Sequence, residues 1–148
     1  MPYRYTLVST PAEDMPQMRI HNAADARSFI TQAGVFSPES AWRESCHIIL
    51  LDNNNHILGT FRLSEGSAKN TVFDVSLACK IAVDALSSGV ILAHNHPSGD
   101  AEPSNCDIRE TERLRDGLRT LGIDLLDHIV VGHGQWYSFS DETLHRED

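Results

Sequence analysis

The stretch Ala93-His94-Asn95-His96-Pro97-Ser98-Gly99-Asp100 decides how this chain must fold. It follows Gly89-Val90-Ile91-Leu92, a short apolar run that predicts a buried strand. Side chains two residues apart on a strand point to the same face, so His94 and His96 can direct both imidazoles at one point where the strand ends. The Pro-Ser-Gly sequence that follows predicts a reversal of the chain.

A helical pattern begins at about Asn105, and Asp107 lies in its first turn. With His94 and His96, this carboxylate completes the three protein ligands that are typical of a catalytic zinc site, where a fourth position stays open to water. Two structural interpretations compete with this one. A histidine on an apolar strand is usually a hydrogen-bonded core residue, and Ser104-Asn105-Cys106-Asp107 fits the capping box of a helix start. The local pattern leaves these alternatives open.

A longer pattern resembles a known family. The order His-x-His, seven residues, Ser, two residues, Asp is similar to the signature of the JAB/JAMM/MPN metalloprotease superfamily, and it is matched without a gap by His94, His96, Ser104 and Asp107. Three segments resemble the bacterial RadC-like branch of that superfamily: His94-Asn95-His96-Pro97-Ser98-Gly99, Leu126-Asp127-His128 and Ser138-Phe139. The resemblance implies an N-terminal extension at 1–20 and one RadC-like JAB/MPN domain at 21–148. Its fold would be an α/β sandwich with a mixed sheet flanked by helices.

The same resemblance implies a glutamate upstream of the histidines, and Glu44 matches it. This residue stands just before the apolar run Cys46–Asp52, where RadC-like proteins typically carry a glutamate. A glutamate at the start of a strand is unremarkable by itself, so Glu39 and Glu65 remain alternatives.

The function that the resemblance implies is zinc-dependent hydrolysis of an amide bond, by a metallopeptidase or an isopeptidase acting on a peptide or protein. One zinc ion per chain would be held by His94, His96 and Asp107. Glu44 would transfer the proton of the attacking water, and Ser104 would donate a hydrogen bond to the oxyanion. Two alternatives come from other classes: an MPN-type interaction scaffold without activity, and a DNA-repair-associated RadC-like protein.

The rest of the pattern predicts an alternation of helices and strands. Helices are expected at about 22–33, 73–87 and 105–121, with a short one from Asp141; strands at Cys46–Asp52, Ile57–Leu63, from Gly89, Ile123–Val131 and Gln135–Phe139; and loops at 36–43 and 64–70. Tyr3–Val8 alternates and could form a further strand. His128 is interpreted as structural, because it and Asp127 point to opposite faces of their strand and form no local dyad.

Length and charge set further bounds. The 148 residues suit one domain, and they are too few for the additional helical domain that longer RadC-like proteins carry, so we expect its contribution to be absent. The net charge of −9 disfavours broad binding of nucleic acid. Arginines on the third helix alternate with acidic residues, which indicates a solvated ion-pair face rather than a phosphate-binding ridge.

The cysteines and the chain terminus bear on location. Three cysteines, Cys46, Cys79 and Cys106, are odd in number and form no CxxC pair, so no disulfide framework is expected. Cys106 is adjacent to Asp107 on the helix, and the two side chains diverge by about 100°, which argues against a role for the thiol as a fourth ligand. No signal-peptide pattern and no apolar run of membrane-spanning length is present, so we expect a cytoplasmic protein. The sequence does not specify the oligomeric state, and it is compatible with a homo-oligomer.

Overall fold

The structure is a computed structural model, and it describes residues 1–6, 8–39, 41–66 and 73–148. The elements are α1 Ala23–Gln32, β1 Glu44–Leu51, β2 Ile57–Gly66, α2 Val75–Asp84, β3 Gly89–Asn95, α3 Asn105–Thr120, β4 Asp124–Val131, β5 Gln135–Ser138 and β6 Thr143–Arg146. They form an α/β domain with a mixed six-stranded sheet and three helices. The predicted fold class is confirmed.

The sheet has the order β2-β1-β3-β4-β5-β6. Only β3 and β4 are parallel, and the other neighbouring strands are antiparallel. Parallel neighbours need a long crossover, and α3 supplies it between β3 and β4. As a result α3 begins near the carboxyl end of β3, where His94 lies.

The two faces of the sheet carry separate halves of the core. Ile48, Leu50 and Leu92 belong to the half that α2 and α3 cover. Ile49 and Ile91 belong to the half that packs on α1. Because helices cover both faces, β1 and β3 read as continuous apolar runs rather than as alternating ones.

Two elements end or continue where the sequence pattern did not predict. The expected strand to Leu63 continues to Gly66, so the first residues of the expected 64–70 loop are in β2, while residues 67–70 lie outside the described residues. The expected helix 73–87 is Val75–Asp84: Asp74 caps its start, and beyond its end Leu86 takes a positive φ of 56° and is 86% exposed. Apolar periodicity continued through Leu86, but it carries no information about that backbone turn.

The predicted short helix from Asp141 is wrong. The chain instead turns at Glu142, whose φ is 51°, and returns as β6 against β5. The His145 ring stacks on Trp136 with centroids 3.9 Å apart, which fixes the register of this last strand. A four-residue strand is too short to show a period of its own, so the sequence could not distinguish it from a helical turn.

The N-terminal residues contribute little to the sheet. Tyr3–Thr6 and Val8 are exposed and lie outside any strand, so the described part of the predicted Tyr3–Val8 strand is not observed. Arg19 forms an isolated antiparallel bridge with His56. None of the helices in the described ranges combines the length and apolar character needed to cross a membrane.

Candidate metal centre

The candidate centre is built where three elements meet. His94 lies at the carboxyl end of β3, and its Cα partner on the antiparallel strand β1 is Cys46, which brings Glu44 at the start of β1 close to it. The Pro-Ser-Gly reversal then returns the chain so that α3 presents Asp107 in its first turn. Residues from separate parts of the sequence therefore converge at one end of the sheet.

The four side chains are close enough to share one ion. Ligand atoms of Glu44, His94, His96 and Asp107 all lie within 4.8 Å of one another. The two histidine Nε2 atoms are 2.9 Å apart, and they lie 3.4 Å and 3.1 Å from the Asp107 carboxylate oxygens. Donor atoms held ~2.0–2.1 Å from a tetrahedral zinc ion lie about 3.3–3.4 Å from one another. The three distances lie within about 0.5 Å of that value, so these two imidazoles and this carboxylate are close enough together to share one ion.

Glu44 is set slightly apart from that group. Its Oε1 lies 3.9 Å from the Nε2 atom of each histidine. The side chain is 15% exposed, so it is reachable from solvent although the centre is largely enclosed. At this distance the Glu44 carboxylate can also contact a water molecule at the centre.

The His96 tautomer can be assigned from its neighbours. Its Nδ1 lies 2.8 Å from the backbone oxygen of Asp100, and a carbonyl can only accept, so Nδ1 carries the hydrogen. In the neutral ring, Nε2 then offers a lone pair toward His94 Nε2. A cation between the rings satisfies both nitrogens. The donor set therefore fits a metal ion.

The pKa values of Asp107, His96 and Cys46 are all shifted by their neighbours in the centre. Burial acts to raise the pKa of the Asp107 carboxyl, but the neighbouring His94 and His96 side chains outweigh it and hold that pKa well below its usual range. For His96, burial opposes protonation, yet the Asp107 carboxylate and the Asp100 carbonyl raise its pKa above 6.5. Burial, with the charges of Asp107 and Glu44, raises the pKa of the Cys46 thiol, so it stays protonated and is unsuited to bind metal.

Ser104 and Asp107 form the capping box of α3, and Asp107 also belongs to the cluster of four. The Asp107 N–H donates to Ser104 Oγ at 3.0 Å, and the Ser104 N–H donates to Asp107 Oδ2 at 2.8 Å. Oδ2 accepts the hydrogen bond of the cap and also lies 3.1 Å from His96 Nε2, while Oδ1 faces His94. Ser104 is exposed, and a hydroxyl that accepts one hydrogen bond can still donate its own hydrogen. The structural and the chemical interpretations of these two residues are therefore compatible.

Asn95, between the two histidines, holds the segment that carries Glu44. Its Nδ2 donates to the backbone oxygens of Ala41 and Arg43, and its Oδ1 accepts from the Ser45 N–H at 2.9 Å. Both flanks of Glu44 are thus fixed to β3 by one buried amide. Sequence reasoning missed this role, and the only available signal was the position of a polar residue on a buried strand.

His128 was expected to be structural, and it is buried in the core, but it also contacts the centre. Its Nε2 lies 2.6 Å from His94 Nδ1, and its Nδ1 lies 2.6 Å from Thr111 Oγ1. Burial lowers the pKa of His128 well below 6.5, so its ring is neutral. Asp127 faces away, as predicted, and accepts hydrogen bonds from Ser138 and Ser140.

The alternative candidates lie elsewhere. Glu65 pairs with Arg62 at 3.0 Å and with Arg43 at 3.7 Å, and the Glu39 side chain is exposed. The half-buried Cys106 lines the pocket beside the centre. Within the described ranges, none of these three residues is part of the cluster of four.

His47 lies on the other face of β1, edge-on to Phe36. Burial and the Arg62 guanidinium lower the pKa of His47 from 6.5 to about 4. Between these values the unfolded chain binds the proton more readily, so the contribution of neutral His47 is present above pH 6.5 and is lost as the pH falls toward 4.

We therefore expect a His47→Gln variant to lose less stability than the wild type between pH 7 and pH 4.5, by about 1 kcal/mol after allowance for solvent screening. Urea unfolding at both pH values measures the difference, and the exposed His56→Gln is the matched control. An equal loss of stability in wild type and His47→Gln would contradict the expectation.

Residues 20–144 match the family model described as the RadC-like JAB domain. This chain belongs to the RadC-like JAB domain family. The chain is 36% identical over 135 residues to a UPF0758 protein of Porphyromonas gingivalis, covering 90% of this chain and 58% of the relative. It is 42% identical over 100 residues to a UPF0758 protein of Methanosarcina mazei, covering 68% of this chain and 44% of the relative.

The predicted RadC-like resemblance is confirmed by these matches. The chain spans about half the length of the curated relatives it matches, with shares of 58%, 45% and 44% for three of them. A RadC-like JAB domain with a Glu, His, His and Asp cluster is consistent with a metal-dependent hydrolase of the JAMM type, and this cluster could bind a metal ion.

Proposed function

We propose that this chain is a zinc-dependent amide hydrolase, a metallopeptidase or isopeptidase that acts on a peptide or protein. The observation that carries the proposal is the convergence of Glu44, His94, His96 and Asp107 within 4.8 Å at one end of the sheet. Two imidazoles and a carboxylate are a ligand set typical of catalytic zinc, and three protein ligands leave one position for water. One zinc ion per chain follows from one such cluster among the described residues.

Each residue has a defined task in this proposal. His94, His96 and Asp107 hold the ion, and a bound zinc ion supplies Lewis acidity that lowers the pKa of water toward ~7. Glu44 accepts the proton of the attacking water and transfers it to the leaving amine. The exposed Ser104 hydroxyl donates to the oxygen of the scissile carbonyl as negative charge develops there.

Access to the centre favours an extended substrate. The side chains of the four residues are only 5–15% exposed, and the adjoining pocket is lined by Cys46, Phe73, Cys106 and Glu110. An extended peptide backbone can reach such a site more easily than the surface of a folded protein can. The family resemblance supports an amide bond as the target of this chain.

Zinc-loaded protein is expected to cleave members of a broad peptide library, and chelator-treated protein is expected to lose that cleavage. Zinc-loaded protein that cleaves no amide substrate, while the metal-free form still folds and retains its partners, would favour the interaction scaffold. DNA binding that persists at physiological ionic strength would favour a DNA-associated role, which the acidic charge of −9 disfavours.

Substitutions at Ser104 can separate its capping role from its proposed role in catalysis. Ser104→Ala removes both the cap and the hydroxyl donor, and it should cost about 1 kcal/mol of stability, whereas glycine is tolerated at N-cap positions for a few tenths. Both variants should lower kcat by about 10²–10³ if the hydroxyl stabilises the oxyanion. Steady-state kinetics and urea unfolding give the two readouts. A rate loss in Ser104→Ala that Ser104→Gly does not share would assign Ser104 to capping alone.

A further inference from the structure

A buried hydrogen-bonded relay leads away from His94 on the side opposite the centre. His94 Nδ1 meets His128 Nε2 at 2.6 Å, and His128 Nδ1 meets Thr111 Oγ1 at 2.6 Å. The Thr111 hydroxyl in turn lies 2.6 Å from the backbone oxygen of Asp107. His94, His128 and Thr111 are 4%, 2% and 1% exposed, so water cannot replace these partners easily.

The direction of each hydrogen bond in the relay can be assigned by starting from the Asp107 backbone oxygen. A carbonyl oxygen can only accept, so the Thr111 hydroxyl donates its single hydrogen to Asp107 O. Oγ1 then acts as an acceptor, and it receives a hydrogen from His128 Nδ1. In a neutral imidazole the other nitrogen is an acceptor, so His128 Nε2 receives the hydrogen of His94 Nδ1. His94 Nε2 is left as a lone pair, and it faces His96 and Asp107.

We propose that Thr111 and His128 are positioning residues for the metal: they hold His94 in the tautomer whose Nε2 lone pair faces the ligand cluster. This inference rests on the proposed metal-dependent function, and it extends it to two residues outside the ligand set. An imidazole that binds metal through Nε2 must carry its hydrogen on Nδ1, and a partner for that hydrogen fixes both the tautomer and the plane of the ring.

The relay also joins the ligands to one another. Thr111 is one helical turn after Asp107 on α3 and bonds to its carbonyl, while His128 lies on β4 and bonds to His94 on β3. The Phe139 ring stacks on His128 at 4.6 Å with planes 9° apart, and this contact restrains rotation of the imidazole. The positions of the helix-borne carboxylate and the strand-borne histidine are therefore coupled through one fixed path.

Threonine offers a matched pair of test variants. Thr111→Val keeps the volume and branching but removes the hydroxyl, and Thr111→Ser keeps the hydroxyl. We expect Thr111→Val to weaken zinc binding by about 10–100-fold in competition with a chromogenic chelator, as loss of such partners typically does, and Thr111→Ser to remain near wild type. Two-bond ¹⁵N–¹H correlations of the zinc-free protein should show His94 protonated at Nδ1 in wild type and Thr111→Ser, and a mixture of tautomers in Thr111→Val.

A second pair keeps the inference testable if Thr111→Val does not fold. His128→Gln retains an oxygen that can accept from His94 Nδ1, whereas His128→Leu has similar size and no acceptor; zinc affinity should be higher in the glutamine variant. A folded Thr111→Val protein with wild-type zinc affinity and an unchanged His94 tautomer would overturn the inference, as would equal affinity in His128→Gln and His128→Leu. Failure of wild-type protein to bind zinc or cleave amides would instead count against the proposed function, because the tautomer is measured without metal.

Discussion

Glu44→Gln is expected to reduce amide hydrolysis by about 10²–10⁴-fold and to leave the zinc content unchanged. Glutamine has nearly the shape of glutamate but cannot accept a proton at neutral pH, so the substitution removes the acid–base function alone. The Oε1 atom of Glu44 is 3.9 Å from both imidazole nitrogens, farther than the Asp107 oxygens are, and this favours the proton-transfer role that we propose over a role as a ligand.

The alternatives for the acidic residue provide the control. Glu39 is exposed and lies outside the cluster, so Glu39→Gln should retain the wild-type rate. Rates are compared at saturating substrate with zinc measured in the same samples, which separates loss of proton transfer from loss of metal. Wild-type turnover by Glu44→Gln, combined with lost turnover in Glu39→Gln, would transfer the role to Glu39.

The local parts of the centre could be predicted because strand geometry is periodic. His94 and His96 share a face by simple alternation, and the seven-residue interval to Ser104 suits a turn followed by a helix start. Glu44 could be chosen only from the family resemblance, because the missing information was tertiary. Its closeness to His94 depends on the register in which Cys46 opposes His94, and no pattern within either strand specifies that pairing.

Polar residues in apolar runs were the part that sequence reasoning interpreted least well. Thr111 lies in the buried stripe of α3 with Leu114 and Leu118, and His128 was interpreted as structural. Both are buried, so those interpretations were adequate for the fold. Their hydrogen bonds to Asp107 and His94 join α3, β4 and β3, and such contacts cannot be seen until the elements are packed.

A His94→Ala, His96→Ala double variant is expected to lose the one zinc ion per chain that we propose for the wild type. The two Nε2 atoms are 2.9 Å apart beside two carboxylates, and removing both imidazoles leaves only oxygen ligands, which are a poor match for zinc in a site of this size. Elemental analysis of protein purified without chelator measures the metal directly. The double variant His21→Ala, His56→Ala removes the same number of histidines from exposed positions and should keep its zinc.

Thermal unfolding gives an independent readout of the same site. A ligand that binds only the folded state stabilises it by about 4 kcal/mol at 1,000 times its Kd, so zinc should raise the Tm of the wild type and of the His21, His56 control. Added zinc should leave the Tm of the His94, His96 variant unchanged, because that variant lacks both imidazole ligands of the folded site. Equal zinc content and an equal rise in Tm in all three proteins would place the metal elsewhere and remove the basis for the hydrolase. Zinc in none of them, even after zinc is offered, would favour the scaffold, since the cluster would then be held together by hydrogen bonds and protons alone.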